Sequence, residues 1–178
     1  MNEWVMLNIT LPQKPSRPRV NAWRRLKGLG AANIGQSSWV LPFSERHEDE
    51  FNRLAVYARE CGGKAFVSRS DFIGAEDEQT ITSYFNADRD AEYGELFEQC
   101  DCFFAEIEKE TQRKNFSFAE LEENEQELEK LSAWLEKIKA RDFFTSALNG
   151  KAEETLKKCR AELNKFAENI FLSNEDKI

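Results

Sequence analysis

Turn residues are confined to the front of this chain. All four prolines (Pro12, Pro15, Pro18 and Pro42) lie within the first 42 residues, and six of the eight glycines lie at or before Gly74. Proline removes a backbone donor and glycine loosens the backbone, so both interrupt long helices. The first 74 residues are therefore expected to form short elements joined by turns. The stretch after Gly74 is free to form long helices.

The front half reads as alternating strands and helices. Val5, Leu7, Ile9 and Leu11 share one face at period two, the mark of a half-buried strand, which Pro12 ends. A helix follows, with Ser16 as N-cap and Pro18 in the first turn, where a missing N–H costs nothing. Its apolar face is predicted to hold Ala22, Trp23, Leu26 and Leu29, with Arg17 and Arg24 opposite, Arg25 and Lys27 on the flanks, and Gly28 and Gly30 as stops. Ala31–Ile34 and Ser38–Leu41 flank Gly35-Gln36-Ser37 as a hairpin that climbs to Pro42. Ser44 opens a second helix with Phe51, Leu54, Ala55 and Ala58 as its stripe, Gly62-Gly63 ends it, and Lys64–Ile73 is a last strand. Strand, helix, strand, strand, helix, strand is the ferredoxin-like split βαβ order.

After Gly74 the apolar residues recur every three or four positions. One seam is Tyr93, Leu96, Cys100, Phe103 and Ile107. A second opens at a Ser117/Glu120 capping box and runs through Leu121, Leu128, Leu131, Leu135 and Ile138, with Asn124 where a leucine would otherwise stand. A third follows Asn149-Gly150 through Ala152, Leu156, Cys159, Leu163, Phe166 and Ile170; Ser173–Ile178 are expected to fray. The fold class is α+β: a ferredoxin-like βαββαβ domain over residues 1–74, then three long antiparallel α-helices over residues 75–178.

Apolar residues at 40% suffice for a core, and charged residues at 33% exclude an integral membrane protein. No apolar run approaches the ~20 residues of a spanning helix. The start Met1-Asn2-Glu3-Trp4 lacks a basic n-region and apolar h-region, so the chain is expected in the cytoplasm. The net charge of −8 is divided unevenly. Residues 1–43 carry Lys14, Arg17, Arg19, Arg24, Arg25 and Lys27 against Glu3, a balance of +5; residues 44–73 carry −1 and residues 74–178 carry −12. The basic segment suits an anionic partner, or else the acidic half neutralises it within one molecule or a dimer.

Four cysteines do not make a disulfide scaffold. Cys100 and Cys102 are two apart and point about 200° apart on a helix, so they cannot share a metal, and His47 is the single histidine. No catalytic constellation, metal site or cofactor is expected. Asp88, Arg89, Glu92 and Tyr93, together with Arg141 and Asp142, form polar groups that read either as a lined cleft or as an ion-pair network joining elements. Lys14, Arg17 and Arg19 surround a helix N-terminus, where cations are disfavoured unless an anion joins them. That anion is a DNA phosphate if Arg24, Arg25 and Lys27 extend the footprint, or a small tetrahedral oxyanion if the first three suffice.

The stretch Leu11–Val20 (LPQKPSRPRV), followed by Trp23–Ala31 (WRRLKGLGA), resembles the opening of the ChrB family of chromate-resistance regulators. Trp39-Val-Leu-Pro42, Gly62-Gly-Lys-Ala65, Phe85–Tyr93 (FNADRDAEY), Leu131–Trp134 and Ala140–Phe144 fit the same pattern in the same order. The resemblance is to that family's N-terminal region and implies a stand-alone relative lacking the family's C-terminal domain. It also implies a cytoplasmic bacterial regulator of chromate efflux, contacting DNA through Arg17, Arg19, Arg24, Arg25 and Lys27. The hairpin departs from the family pattern, reading Gly35-Gln-Ser-Ser38 where a charged turn ending in glycine is typical. The run ending in Trp39–Pro42 is similar to the ferredoxin-like module of phenylacetate-degradation repressors and of the CRISPR spacer-acquisition nuclease. The acid that follows the first strand in those nucleases is replaced here by Thr10-Leu11-Pro12. The expected function is a non-enzymatic regulatory module that binds DNA as a homodimer. The alternatives are an oxyanion (chromate or sulfate) binder and a helical interaction scaffold exposing Leu128, Leu131, Leu135 and Ile138.

Overall fold

A computed structural model describes residues 3–175 and divides the chain into two compact units, Met1–Ala87 and Asp88–Ile178. In the first unit the elements run β1 (Trp4–Thr10), α1 (Arg17–Leu29), β2 (Ala32–Asn33), β3 (Ser38–Pro42), α2 (Glu45–Glu60) and β4 (Lys64–Ser70). The sheet order is β2-β3-β1-β4 with every pairing antiparallel. This is the expected split βαβ arrangement.

Register follows burial. Val5 faces Leu41 and Leu7 faces Trp39 across β1 and β3, while Ile9 faces Ala65 across β1 and β4. These residues are buried, as are Leu26 of α1 and Phe51, Leu54, Ala55 and Ala58 of α2. Each large side chain so buried contributes about 1.5–3 kcal/mol, which fixes the strand register because a one-residue slip would turn this set outward. Helix α2 starts where expected: the Ser44 hydroxyl accepts from the His47 N–H at 3.1 Å, with Glu45 and Glu48 in the first turn. Gly63 allows β4 to begin beside β1, since a Cβ there would lie 2.3 Å from the Thr10 carbonyl oxygen.

Four local expectations are corrected. Ser16 occupies the N-cap position of α1 but has helical dihedrals and makes no side-chain cap bond. Trp23, placed by its spacing on the apolar face, is 54% exposed. The second strand is two residues long, and β4 stops at Ser70, leaving Ile73 fully exposed. The first compact unit runs to Ala87; Ile81 and Phe85 are buried, and Phe85 stacks on Trp4 with ring centres 5.9 Å apart.

Helix α3 (Ala75–Arg113) continues into the second unit, followed by α4 (Phe118–Lys139) and α5 (Asn149–Glu175). The three seams meet in one core from Tyr93 to Ile170, with Leu96, Cys100, Ile138, Ala152, Cys159 and Ile170 fully buried. Phe118 packs on Phe171, whereas Lys139 pairs with Glu153, so α4 and α5 run antiparallel. Tyr93 of α3 reaches Asp142 beyond the end of α4, so that pair is antiparallel too. Half of the capping box forms: the Ser117 hydroxyl accepts from the Glu120 N–H, but the Glu120 carboxylate accepts from the Asn115 amide instead of reaching back. Asn124, in the leucine seam, is buried and donates to the Glu120 carbonyl. Helix α5 continues through Glu175, past Ser173 where fraying is expected to begin; residues 176–178, and Met1-Asn2 at the other end, lie outside the described residues.

Candidate nucleic-acid interface

The six cations of the basic segment separate into distinct environments. Lys14, Arg17 and Arg24 are exposed and form no ion pair or side-chain hydrogen bond among the described residues. Arg19 is folded back, its Nη2 donating to the Gln13 carbonyl at 2.9 Å. Arg25 lies 3.8 Å from the Glu50 carboxylate of α2. Lys27 is half-buried and partnered. Of the six, Lys14, Arg17, Arg19 and Arg24 are exposed with no carboxylate partner among the described residues, although one Arg19 N–H is taken by a backbone carbonyl. The acid that faces Arg25 is Glu50 of α2; a pair this exposed contributes at most about 1 kcal/mol.

Arg17 and Arg24 are seven residues apart on α1. Two helical turns bring them back to the same face, about 10 Å apart along the axis. Their face is opposite Ala22 and Leu26, which anchor α1 to the sheet. The charges are therefore held on a rigid element and directed outward. Two hollows border them. One is a shallow site on α1 formed by Ser16, Arg19, Val20, Trp23 and Arg24. The other is a cleft of about 370 Å³ between α1, the end of β1 and the β2–β3 turn, in which Trp23 and Trp39 meet Gln36 and Ser37. The sequence reading did not identify this cleft, because spacing assigned Trp23 to the core.

The second polar group is a network inside the helical unit. Arg89 is 3% exposed; its Nη2 lies 3.3 Å from one Glu92 carboxylate oxygen, and Arg141 Nη2 donates to the other at 2.9 Å. Burial lowers the Arg89 pKa, an effect opposed chiefly by Glu92. The Tyr93 hydroxyl donates to Asp142 at 3.0 Å. Burial, then this bond, pushes the phenol well above the ordinary tyrosine range. Asp142 also accepts the Ser146 N–H, and the Ser146 hydroxyl donates to Asp90. Arg89, Glu92, Tyr93, Arg141 and Asp142 are thus brought together, and Asp88 acts on Arg89 through its charge. The sequence reading missed Asp90 and Ser146; the signal for Ser146 was its place four residues after Asp142, within reach of a capping carboxylate. The arrangement ties α3 to the α4–α5 connection and lines neither of the two hollows described above.

Other candidates resolve as core. Cys100 and Cys159 are buried and hydrogen-bond to each other; that bond, then burial, pushes the Cys159 thiol far up. Leu128, Leu131, Leu135 and Ile138 are buried within the helical unit, so the exposed seam required by an interaction scaffold does not exist. Among the described residues no group of three or more His, Cys, Asp or Glu could hold a metal, and no helix is long and apolar enough to cross a membrane.

The family model described as the N-terminal region of protein ChrB matches residues 19–177. A curated relative, "Protein ChrB" of Cupriavidus metallidurans, is 25% identical over 150 residues, covering 84% of this chain and 43% of the relative. The chain thus spans less than half the length of that relative. No solved structure matches significantly.

Proposed function

This chain belongs to the ChrB N-terminal family, and from that premise we propose that it is a non-enzymatic, chromate-resistance-associated regulatory module of the cytoplasm that binds DNA through α1. One observation carries the reading: Arg17 and Arg24 stand on one exposed face of α1 with no carboxylate on either among the described residues. A protein of net charge −8 gains nothing in solubility from uncompensated cations on one helix face. Phosphates give them a partner, because neutralising a phosphate releases condensed counterions. The oxyanion alternative is weaker. It relied on Lys14, Arg17 and Arg19 converging, and Arg19 is turned back so that one of its N–H groups donates to the Gln13 carbonyl.

The test is anisotropy with a mixed-sequence DNA duplex across a salt series. Binding should weaken steeply with salt, and Arg17→Glu with Arg24→Glu should remove about two units from the logarithmic slope as well as most of the affinity. Arg25→Glu should do less, because Glu50 already faces that side chain. Duplex affinity unchanged in the Arg17/Arg24 double variant would dismiss the proposal.

A further inference from the structure

The cleft beside Trp23 has the make-up of a site for one planar heterocycle. One wall is the indole of Trp23, 54% exposed although its neighbour Ala22 is buried. Ile9 and Leu26 supply an apolar floor. The rim carries Thr10, Gln36 and Ser37, whose side chains make no hydrogen bond among the described residues. Arg19 stands at the same cleft, with Arg24 on the next turn of α1. The volume of about 370 Å³ lies within the ~300–1,000 Å³ range of small-ligand sites.

Charge complementarity and chemistry select the occupant. A wholly apolar ligand would strip water from the Thr10, Gln36 and Ser37 groups without replacing it. A compact tetrahedral anion would have no use for an indole wall. A nucleobase uses both features. Its face stacks on an aromatic ring, and its edge offers donors and acceptors that the Gln36 amide and the two hydroxyls can match. Its backbone phosphates would meet the cations of α1. A base within an intact stack cannot enter such a cleft; it must be unpaired or extruded.

We propose that the Trp23 cleft takes one unpaired base of a bound DNA strand, so that the protein prefers DNA carrying an unstacked nucleotide to fully paired duplex. The inference rests on the DNA-binding reading above and adds to it the feature of the DNA that is recognised.

The full chain is titrated with three fluorescent probes: a paired duplex, the same duplex with one bulged thymine, and a single strand of equal length. The bulged duplex should bind about tenfold more tightly than the paired one, as expected for a single base–aromatic stack. Trp23→Ala should abolish that preference while leaving paired-duplex affinity and its salt slope nearly unchanged, and Trp23→Phe should retain most of it. Unlabelled bulged duplex should also quench indole emission in the wild type. Equal affinity of wild type for paired and bulged probes overturns the inference and leaves the α1 reading intact. So does a preference that survives in Trp23→Ala. Failure of all three probes to bind overturns both. Because Trp23 is exposed, its replacement is not expected to unfold the protein, and circular dichroism of each variant checks this.

Discussion

Arg24 and Arg89 both sit on helices and belong to opposite electrostatic designs. In the sheet unit, Arg24 projects from an exposed helix face and meets no carboxylate among the described residues. In the helical unit, Arg89 is 3% exposed, shares Glu92 with Arg141, and leaves its Nε and Nη1 without protein partners. The acidic unit has drawn its arginine inward to join helices; the basic helix has left its arginines outward. The difference teaches that residue type does not separate a binding cation from a structural one. Water does: an exposed guanidinium keeps its hydration until a ligand displaces it, whereas a buried one must be satisfied by the fold itself.

The largest expected effect breaks this contrast at Glu92. Glu92→Ala removes the carboxylate shared by two guanidiniums and leaves Arg89 buried without its hydrogen-bonded acid, facing only the charges of Asp88 and Asp142. Urea unfolding should show a loss of about 3–5 kcal/mol. Arg24→Ala should stay within about 0.5 kcal/mol, as an exposed substitution. Similar losses at both sites would show that the two arginines are not differently employed.

A smaller effect is expected at Tyr93. Tyr93→Phe deletes the bond to Asp142, worth about 1–2 kcal/mol at neutral pH. The pH dependence has a definite sign. The folded phenol has a raised pKa, so its contribution is complete below the ordinary tyrosine value of about 10. It is lost as pH rises beyond that value, because the unfolded chain ionises first. Urea midpoints at about pH 8 and about pH 11 should therefore fall further in the wild type than in Tyr93→Phe. Equal alkaline losses would detach Tyr93 from the network.

The smallest effect sharpens the comparison. Arg89→Met keeps the packing of the stem and removes a guanidinium that burial already disfavours, while Arg141 still satisfies Glu92. Thermal melts should place this variant within about 1 kcal/mol of the wild type, or above it. A loss as large as that of Glu92→Ala would mean that Arg89 contributes net stability rather than specificity of helix docking.

Elements written in local periodicity were legible. The alternation of Val5, Leu7 and Ile9, the stripe Phe51–Leu54–Ala55–Ala58 and the three helical seams are buried as the spacing implies. Ser44 caps α2 as expected. The polar group around Arg89 and Arg141 was recognisable as a set, although its Asp90–Ser146 contact was not. What escaped depended on neighbours distant in the chain. Trp23 has the spacing of a core residue, but the sheet beneath α1 is already covered by Ala22 and Leu26, and the indole is left at the edge of the cleft. Arg25 looked like its neighbour Arg24 until α2 brought Glu50 to it. Ser16 has a capping residue's chemistry but helical dihedrals, which aim its hydroxyl away from the open N–H groups.

By itself the sequence determined where turns fall, which faces are apolar, and that positive charge gathers at the front while negative charge gathers behind. These are properties of residues a few positions apart, and short-range geometry is enough to express them. Tertiary structure alone decided which arginines are consumed and which remain available, and that an indole beside three polar side chains should frame a cleft. Burial and pairing depend on groups brought together across 25 residues at Arg25 and Glu50, and across 49 at Glu92 and Arg141, distances over which no local pattern carries information.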